Sequence, residues 1–293
     1  FSERSGVVNI ALEGIMVFGA FVSVFSISVL QSSMSGQGLL FIAMLIAIAS
    51  GMLFTLLHAY AAISLKSDQT ISGTALNMIA PAICIYLSRS LQPNGVQQVQ
   101  FINSFFIEKV PVLGDIPLIG KMFFQNCYIT TYIGILILIV SSFVLYKTRF
   151  GLRLRACGEH PQAADSVGVN VYKIRYAGVL ISGALAGLGG LVYVIPTSTN
   201  FNQTVSGYGF LALAVLIFGA WKPGKILFAA FFFGLMKTIA ASYSGIPFLF
   251  NLGVPSDIYK MVPFIATMVV LAFTSKKSQA PRASGVPYDK GAR

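Results

Sequence analysis

The chain has 293 residues, of which 56% are hydrophobic and only 10% charged, with a mean hydropathy of +0.78. That leaves too little polar surface to coat a soluble globule of this length, so composition excludes a water-soluble enzyme and places the chain in lipid. The net charge of +11 does not imply nucleic acid, because the basic residues lie in short connections and in the tail after Ser275, where they fit membrane orientation and anionic lipid headgroups.

A spanning helix needs about 20 apolar residues, and about eight candidates occur in chain order. They run near Ile10 to Leu30, Leu39 to Leu65, Ile71 to Leu91, Tyr128 to Tyr146, Tyr176 to Ile195, Tyr208 to Trp221, Ile226 to Ser242 and Ile258 to Thr274. The sixth is too short for a perpendicular crossing and reads as a half-helix, a re-entrant element, or one that continues through an irregular turn. The fold class expected is therefore an all-α integral membrane protein, a polytopic helical bundle with broken or short helices near a pore. Cys84, Cys127 and Cys157 are scattered without metal-ligand spacing and read as packing residues. Gly183 to Gly187, GALAG, reads as a small-residue ridge for close helix packing, and His58 as a satisfied polar residue near a helix end.

Counting crossings tests the orientation. With Arg4 inside, Gln31 to Gly38 falls outside and is uncharged, and Lys66 falls inside. Residues 92–126 form an external excursion, expected to hold short helical pieces around Pro93, Pro111 and Pro117. Thr148 to Tyr176, with Arg149, Arg153, Arg155, Lys173 and Arg175, falls inside, as do Lys222, Lys225 and the C-terminal tail. Lys237, about three turns into its helix, is the exception.

An internal echo accompanies this parity. IALEGIMVFGAF, ending at Phe21, aligns without gaps on FLALAVLIFGAW, ending at Trp221. Each copy is followed by a crossing containing a glycine, Gly51 or Gly234, and then by one introduced by Ser-Asp, Ser67-Asp68 or Ser256-Asp257. Opposite crossing directions make this the pattern of an inverted-topology repeat, with a first repeat about 1–91 and a second about 176–274.

The most informative stretch is the basic island. Within it Pro161 to Val167 reads as a short helix, with Pro161 at its first position and Gly168 as its stop. Ala163 and Ala164 give that helix a face of little bulk on which another protein can sit, and Glu159 and Asp165 either position the helix, pair with basic residues of a partner, or are simply solvated. For the path, Asn9 and Glu13 are four apart and would share a helix face, and a carboxylate within a membrane segment calls for water, a partner or a role. Asn77 would bond a helix neighbour or a passing hydroxyl. Phe18 and Phe218 occupy equivalent repeat positions, where an aromatic face suits either a nucleobase or packing.

Gly219 to Ile226, GAWKPGKI, has the glycine and lysine spacing of a phosphate-binding loop. It places Ile226 where Ser or Thr would meet magnesium, and it follows a membrane helix rather than a strand. It reads instead as a tight turn at Pro223 and Gly224.

SERSGVVNIALEGIM, Ser2 to Met16, resembles the opening signature of the permease subunits of bacterial ABC importers for nucleosides, within the wider group of branched-chain amino acid and ribose permeases. GLRLRACGEHPQAADSVGVNV resembles that group's cytoplasmic coupling loop, here 147–175, and SGTALNMIA and YGFLALAVLIFGAWKP extend the similarity over nearly the whole chain. His160 departs from the asparagine expected before the proline. The chain opens at Phe1 with no signal-peptide pattern, and an upstream helix is expected from the group.

The resemblance implies a subunit that does not hydrolyse ATP and binds no cofactor itself, forming half of a translocation path. ATP and Mg would sit in a cytoplasmic ATPase partner, engaged through Gly158, Glu159, Pro161, Ala163, Ala164 and Asp165. It further implies a second related permease and a substrate-binding lipoprotein, which would meet residues 92–126. The alternatives are an ABC permease for sugars or branched-chain amino acids, or an ion-coupled secondary transporter, for which Glu13 is the evident buried carboxylate.

Overall fold

The computed structural model describes residues 1–92, 95–111, 113–117, 120, 124–245 and 280–291, with 255, 258, 259, 261, 262, 265 and 268 between the last two stretches. Among the described residues, six helices are long and apolar enough to cross a membrane. They are α1 (Leu12–Leu30), α2 (Gln37–Ala59, prolonged by a π turn over Tyr60–Ser64), α3 (Gln69–Leu91), α4 (Ile129–Lys147), α7 (Val171–Thr197) and α9 (Pro223–Ala241). The short α8 (Tyr208–Phe218) is the expected half-length helix. The eighth expected crossing, together with Ser256-Asp257, Lys276 and Lys277, falls largely outside the described residues. Between α4 and α7 lie α5 (Arg149–Glu159) and α6 (Pro161–Ser166).

The chain divides into two compact units, Phe1–Gly209 with Pro281–Arg293, and Phe210–Ala280. In the first, the core is built by α1, α2, α3 and α7, whose buried residues include Ile15, Phe21, Leu40, Ala47, Ala80 and Leu191. The glycine ridge sets how closely these helices pack. A methyl group on Gly187 would overlap the Ala47 carbonyl and lie 2.8 Å from Gly51 Cα, and one on Gly190 would overlap the Met16 carbonyl. Backbone-to-backbone approach of this kind gives the dispersion contact that holds helices together in lipid, where no hydrophobic drive acts between them. Buried hydroxyls inside these helices turn back on their own carbonyls, as Ser23 Oγ does to Gly19 O at 2.7 Å.

In the second unit, α8 and α9 pack on one another through Val215, Ala229 and Phe233. Their link is a turn over Gly219 to Lys222, with Ala220 at φ 47° and Trp221 at φ 56°. Pro223 is already the first residue of α9, so the bend lies earlier than the expected Pro223-Gly224. The segment joins two helices and does not form a strand–loop–helix phosphate cradle. Lys237 is half-buried in α9.

The described residues of the excursion hold a short helical piece of the expected kind, the 3-10 turn Leu113–Asp115, and beyond expectation they carry β1 (Val99–Gln100), β2 (Phe106–Lys109) and β3 (Gln125–Tyr128). β2 pairs antiparallel with β3, and β1 with β4 (Asn200–Phe201). Side-chain bonds stitch this layer to the helix ends: Gln37 Nε2 donates to Phe105 O at 2.9 Å, and Asn103 Nδ2 to Ile195 O at 2.8 Å. Pairings across about a hundred residues are set by partners and not by local propensity, which is why a local reading misses them.

Candidate functional site

Two features of the first unit carry chemistry and mechanics: an irregular chain entry buried in the bundle, and the elbow formed by α5 and α6.

α1 begins at Leu12, so Asn9 lies before the helix and does not share a helical face with Glu13. Val7, Asn9 and Ala11 are nonetheless buried, which puts non-helical backbone inside the protein. Unsatisfied peptide groups are costly at that depth, and side chains from α2 and α3 meet them. Val8 N–H donates to Gln69 Oε1 at 2.7 Å, and His58 Nε2 lies 2.9 Å from Val8 O. Because a carbonyl can only accept, His58 carries its proton on Nε2, leaving Nδ1 to accept from Ser72 Oγ at 3.0 Å. His58 is thus fully buried and satisfied on both nitrogens, as its solitary position in the sequence implied.

Asn77 completes the set. Its Nδ2 donates to Ile10 O at 2.9 Å and its Oδ1 accepts from Gly14 N at 2.8 Å, so it caps the start of α1. Of the two roles open to it, bonding to a helix neighbour is the one seen. Glu13 accepts from Gly207 N at 2.9 Å and Gly209 N at 2.7 Å, the amides that open α8. A carboxylate amid amides at helix starts is favourably placed. Gly209 is required there, since a methyl would overlap the Glu13 backbone.

Asn9 Nδ2 donates to Ser182 Oγ at 3.2 Å, while its buried Oδ1 has no hydrogen-bond partner among the described residues. Phe18 stacks on Phe54 at 4.6 Å between ring centroids, and Phe218 meets Phe233 edge-on at 5.0 Å. Of the five path residues named from sequence, Asn9 therefore retains a free buried acceptor and the others are engaged in packing or capping.

The elbow is more structured than a connection. Thr148 Oγ1 accepts from Gly151 N at 3.1 Å and starts α5. That helix buries Gly151, Leu154, Cys157 and Gly158 on one face. A methyl on Gly158 would overlap the Arg4 carbonyl, so α5 lies directly on the 3-10 turn Glu3–Ser5. α6 follows with Pro161 at its first position, and Gly168, at φ 82°, supplies the stop. His160 makes no side-chain cap bond at the α6 start. Asn170 Oδ1 then accepts from Lys173 N at 3.0 Å and starts α7 at Val171, earlier than the expected Tyr176, so Lys173 and Arg175 belong to the helix.

The two alanines of α6 part company. Ala163 is exposed with Gln162, Ser166 and Val167, whereas Ala164 is 4% exposed and packs with Cys157, Val171 and Tyr288. The outward face of the elbow is therefore Gln162, Ala163, Ser166 and Val167. Val167, an apolar side chain 77% exposed, stands at its rim. Glu159 is half-buried at the end of α5, and Asp165 lies 4.0 Å from Lys290 Nζ. A cavity of about 400 Å3 opens beside it, lined by Asp165, Ser166, Gly168, Asn170, Tyr172 and Lys290. Burial raises the Cys157 thiol above its ordinary pKa, opposed by the nearby Arg175 charge. The three cysteines are free, with Cys84 and Cys157 buried and Cys127 half-buried.

Six helices long and apolar enough to cross a bilayer, among the described residues, make this a polytopic membrane protein. The chain belongs to the family described as the branched-chain amino acid transport system permease component, whose model matches residues 1–271. It is 45% identical to the guanosine ABC transporter permease protein NupQ of Bacillus subtilis, over 100% of this chain and 91% of that protein. It is 42% identical to the nucleoside ABC transporter permease protein NupC of Lactococcus lactis, over 99% and 90% of the two chains. The nucleoside ABC transporter permease protein NupB of the same organism is 33% identical over 54% of this chain and 44% of its own. No solved structure matches.

Proposed function

We propose that this chain is the transmembrane subunit of an ATP-driven nucleoside importer of a bacterial plasma membrane. The observation that carries the reading is end-to-end similarity to two permeases named for guanosine and nucleoside transport. The chain forms half of the path and pairs with a second, related permease, as the partial likeness to NupB supports. ATP and Mg are bound and hydrolysed in a cytoplasmic ATPase. A substrate-binding lipoprotein delivers nucleoside on the strand-bearing side.

In this account the end carrying Arg4, Lys66, the elbow and the tail faces the cytoplasm, in line with the bias of Lys and Arg. The exposed face of α6 docks on the ATPase. Closure of the ATPase around ATP pushes α5 and α6, and the push passes to α1 through the Gly158–Arg4 contact and to α7 through the short 167–170 turn. The path runs beside residues 7–13, where Asn9 Oδ1 offers an acceptor to a ribose hydroxyl or a base N–H. Glu13 stabilises the paired helix starts and is not an ion-coupling group, which sets the importer apart from an ion-driven carrier.

The test is uptake of labelled guanosine into proteoliposomes holding the purified permease pair, the ATPase and the binding lipoprotein. Uptake is expected with internal ATP and Mg and absent with a proton gradient alone. Uptake on the gradient alone, or none on ATP, overturns the reading.

A further inference from the structure

The sequence reads the chain after Ser275 as a basic tail lying on lipid headgroups, yet residues 280–291 cross the elbow in fixed register. Ala283 N–H donates to Gly158 O at 2.8 Å, at the end of α5, and Gly285 N–H donates to Gly6 O at 3.2 Å, in the entry to α1. Arg175 Nη1, on α7, donates to Val286 O at 3.0 Å, and Tyr172 OH to Tyr288 O at 3.4 Å. The Tyr288 ring, 4% exposed, packs in one cluster with Cys157 of α5, Ala164 of α6 and Val171 of α7. Tyr172 meets it edge-on at 5.3 Å, and the Arg175 guanidinium lies 6.0 Å from its centroid. Lys66, in the turn between α2 and α3, pairs with Asp289 at 3.0 Å, and Lys290 reaches toward Asp165 of α6.

One short segment therefore touches the entry to α1, the α2–α3 turn, α5, α6 and α7. A solvated lipid-facing tail would not bury an aromatic ring or draw in a guanidinium. Arg175 is 1% exposed, and its Nε and Nη2 have no partner among the described residues, so its placement costs free energy that the strap offsets only in part. Proteins keep such an arrangement where a fixed geometry matters.

We infer that residues 281–290 act as a positioning strap that locks the α5–α6 elbow to the starts of α1, α3 and α7, so that displacement of the elbow moves the bundle instead of bending the elbow alone. Tyr288 is its anchor, and Arg175 and Lys66 fix its two sides. The inference rests on the elbow being the point where the motor pushes. Without the strap, α6 is held only by its chain junctions and by the packing of Ala164 against Cys157 and Val171. The ATPase then still docks and turns over, but less of each stroke reaches the helices.

The experiment compares the complete reconstituted transporter carrying Tyr288→Ala or Tyr288→Phe with the parent, measuring guanosine uptake and ATP hydrolysis together. Uptake per ATP hydrolysed should fall about tenfold or more in Tyr288→Ala and recover to within about twofold in Tyr288→Phe, which keeps the ring. An unchanged ratio in an assembled Tyr288→Ala transporter overturns the inference, whereas a parent that shows no ATP-driven uptake overturns the functional reading instead. A second measurement needs no substitution. Maleimide labelling of Cys157, located by peptide mass spectrometry, reports whether Tyr288 stays seated, because that thiol is buried in the same cluster. A strap that works as a tie keeps Cys157 protected in the nucleotide-free and the ATP-trapped transporter alike. Labelling that rises on ATP trapping shows the strap lifting, and sinks the idea.

Discussion

Asn77 and Gly14 are joined by a 2.8 Å hydrogen bond from the Gly14 amide to the Asn77 side chain, and this bond sets where α1 can begin. The same side chain holds the Ile10 carbonyl, so one residue of α3 bridges the last irregular residues and the first helical turn. Replacing it with the similarly sized apolar Leu removes the partners of the buried Gly14 amide and of the half-buried Ile10 carbonyl. Asn77→Leu should destabilise the purified permease by about 1–3 kcal/mol, seen as a lower unfolding temperature in detergent. An unfolding temperature equal to the parent's would show that water or lipid replaces the bond.

The contact between α7 and α2 makes a sharper demand. Gly187 has the Ala47 carbonyl and Gly51 where a side chain would go, while a methyl on Gly134 of α4 would meet nothing within 4 Å. Gly187→Val should push the helices apart and cost about 1–3 kcal/mol or more, whereas Gly134→Ala should leave stability equal or slightly higher. Thermal unfolding of the two variants side by side checks the contrast.

Neighbouring alanines on α6 should respond in opposite ways. Ala163→Trp adds bulk to an exposed face, so the isolated permease should unfold within about 2 °C of the parent, while ATP-driven uptake should fall about tenfold or more. Ala164→Trp overfills the cluster with Cys157 and Tyr288 and should lower stability of the isolated chain by about 1–3 kcal/mol. Equal behaviour of the two would contradict the orientation of α6.

Two carboxylates at this end are held below their ordinary pKa of 3.8: Asp68 by the amides of Ile71 and Thr70, and Asp289 first by its hydrogen bond from Lys66 and then by the Gly291 amide. A depressed folded pKa gives stability that is present above the ordinary value and lost as pH falls through the lower, folded one. The difference in unfolding temperature between the parent and Asp289→Asn should thus be constant from about pH 5 to 8 and shrink below about pH 4. A difference that changes near neutrality would mean that Asp289 is not ionised against Lys66.

Most of the bundle is legible in the sequence, because each crossing is an apolar run closed by polar residues with a physical reason to stop a helix. Ser67-Asp68 introduces α3, and Pro161 and Gly168 bracket α6, whereas α7 begins at Val171, ahead of the expected Tyr176. What stays hidden depends on distant partners. Val99 becomes strand because Phe201 lies opposite it, and residues 7–11 remain irregular because Gln69, His58 and Asn77 receive their backbone groups. The strap reads as tail because its anchorage is mostly main-chain bonding to Gly158, Gly6 and Arg175, which leaves only Tyr288 as a local sign. At the elbow, a helix of six residues is too short for periodicity to tell the face of Ala163 from that of Ala164.

The central claim is that α6 takes the push of a separate ATPase, and cross-linking through an Ala163→Cys substitution tests it most directly. In the assembled transporter the introduced thiol should cross-link to the ATPase subunit, with a yield that changes between nucleotide-free and ATP-trapped states, and the cross-link should stop guanosine uptake. A thiol at this position that reacts only with impermeant reagent applied from outside the cell, or that cross-links without any effect on uptake, would contradict the account.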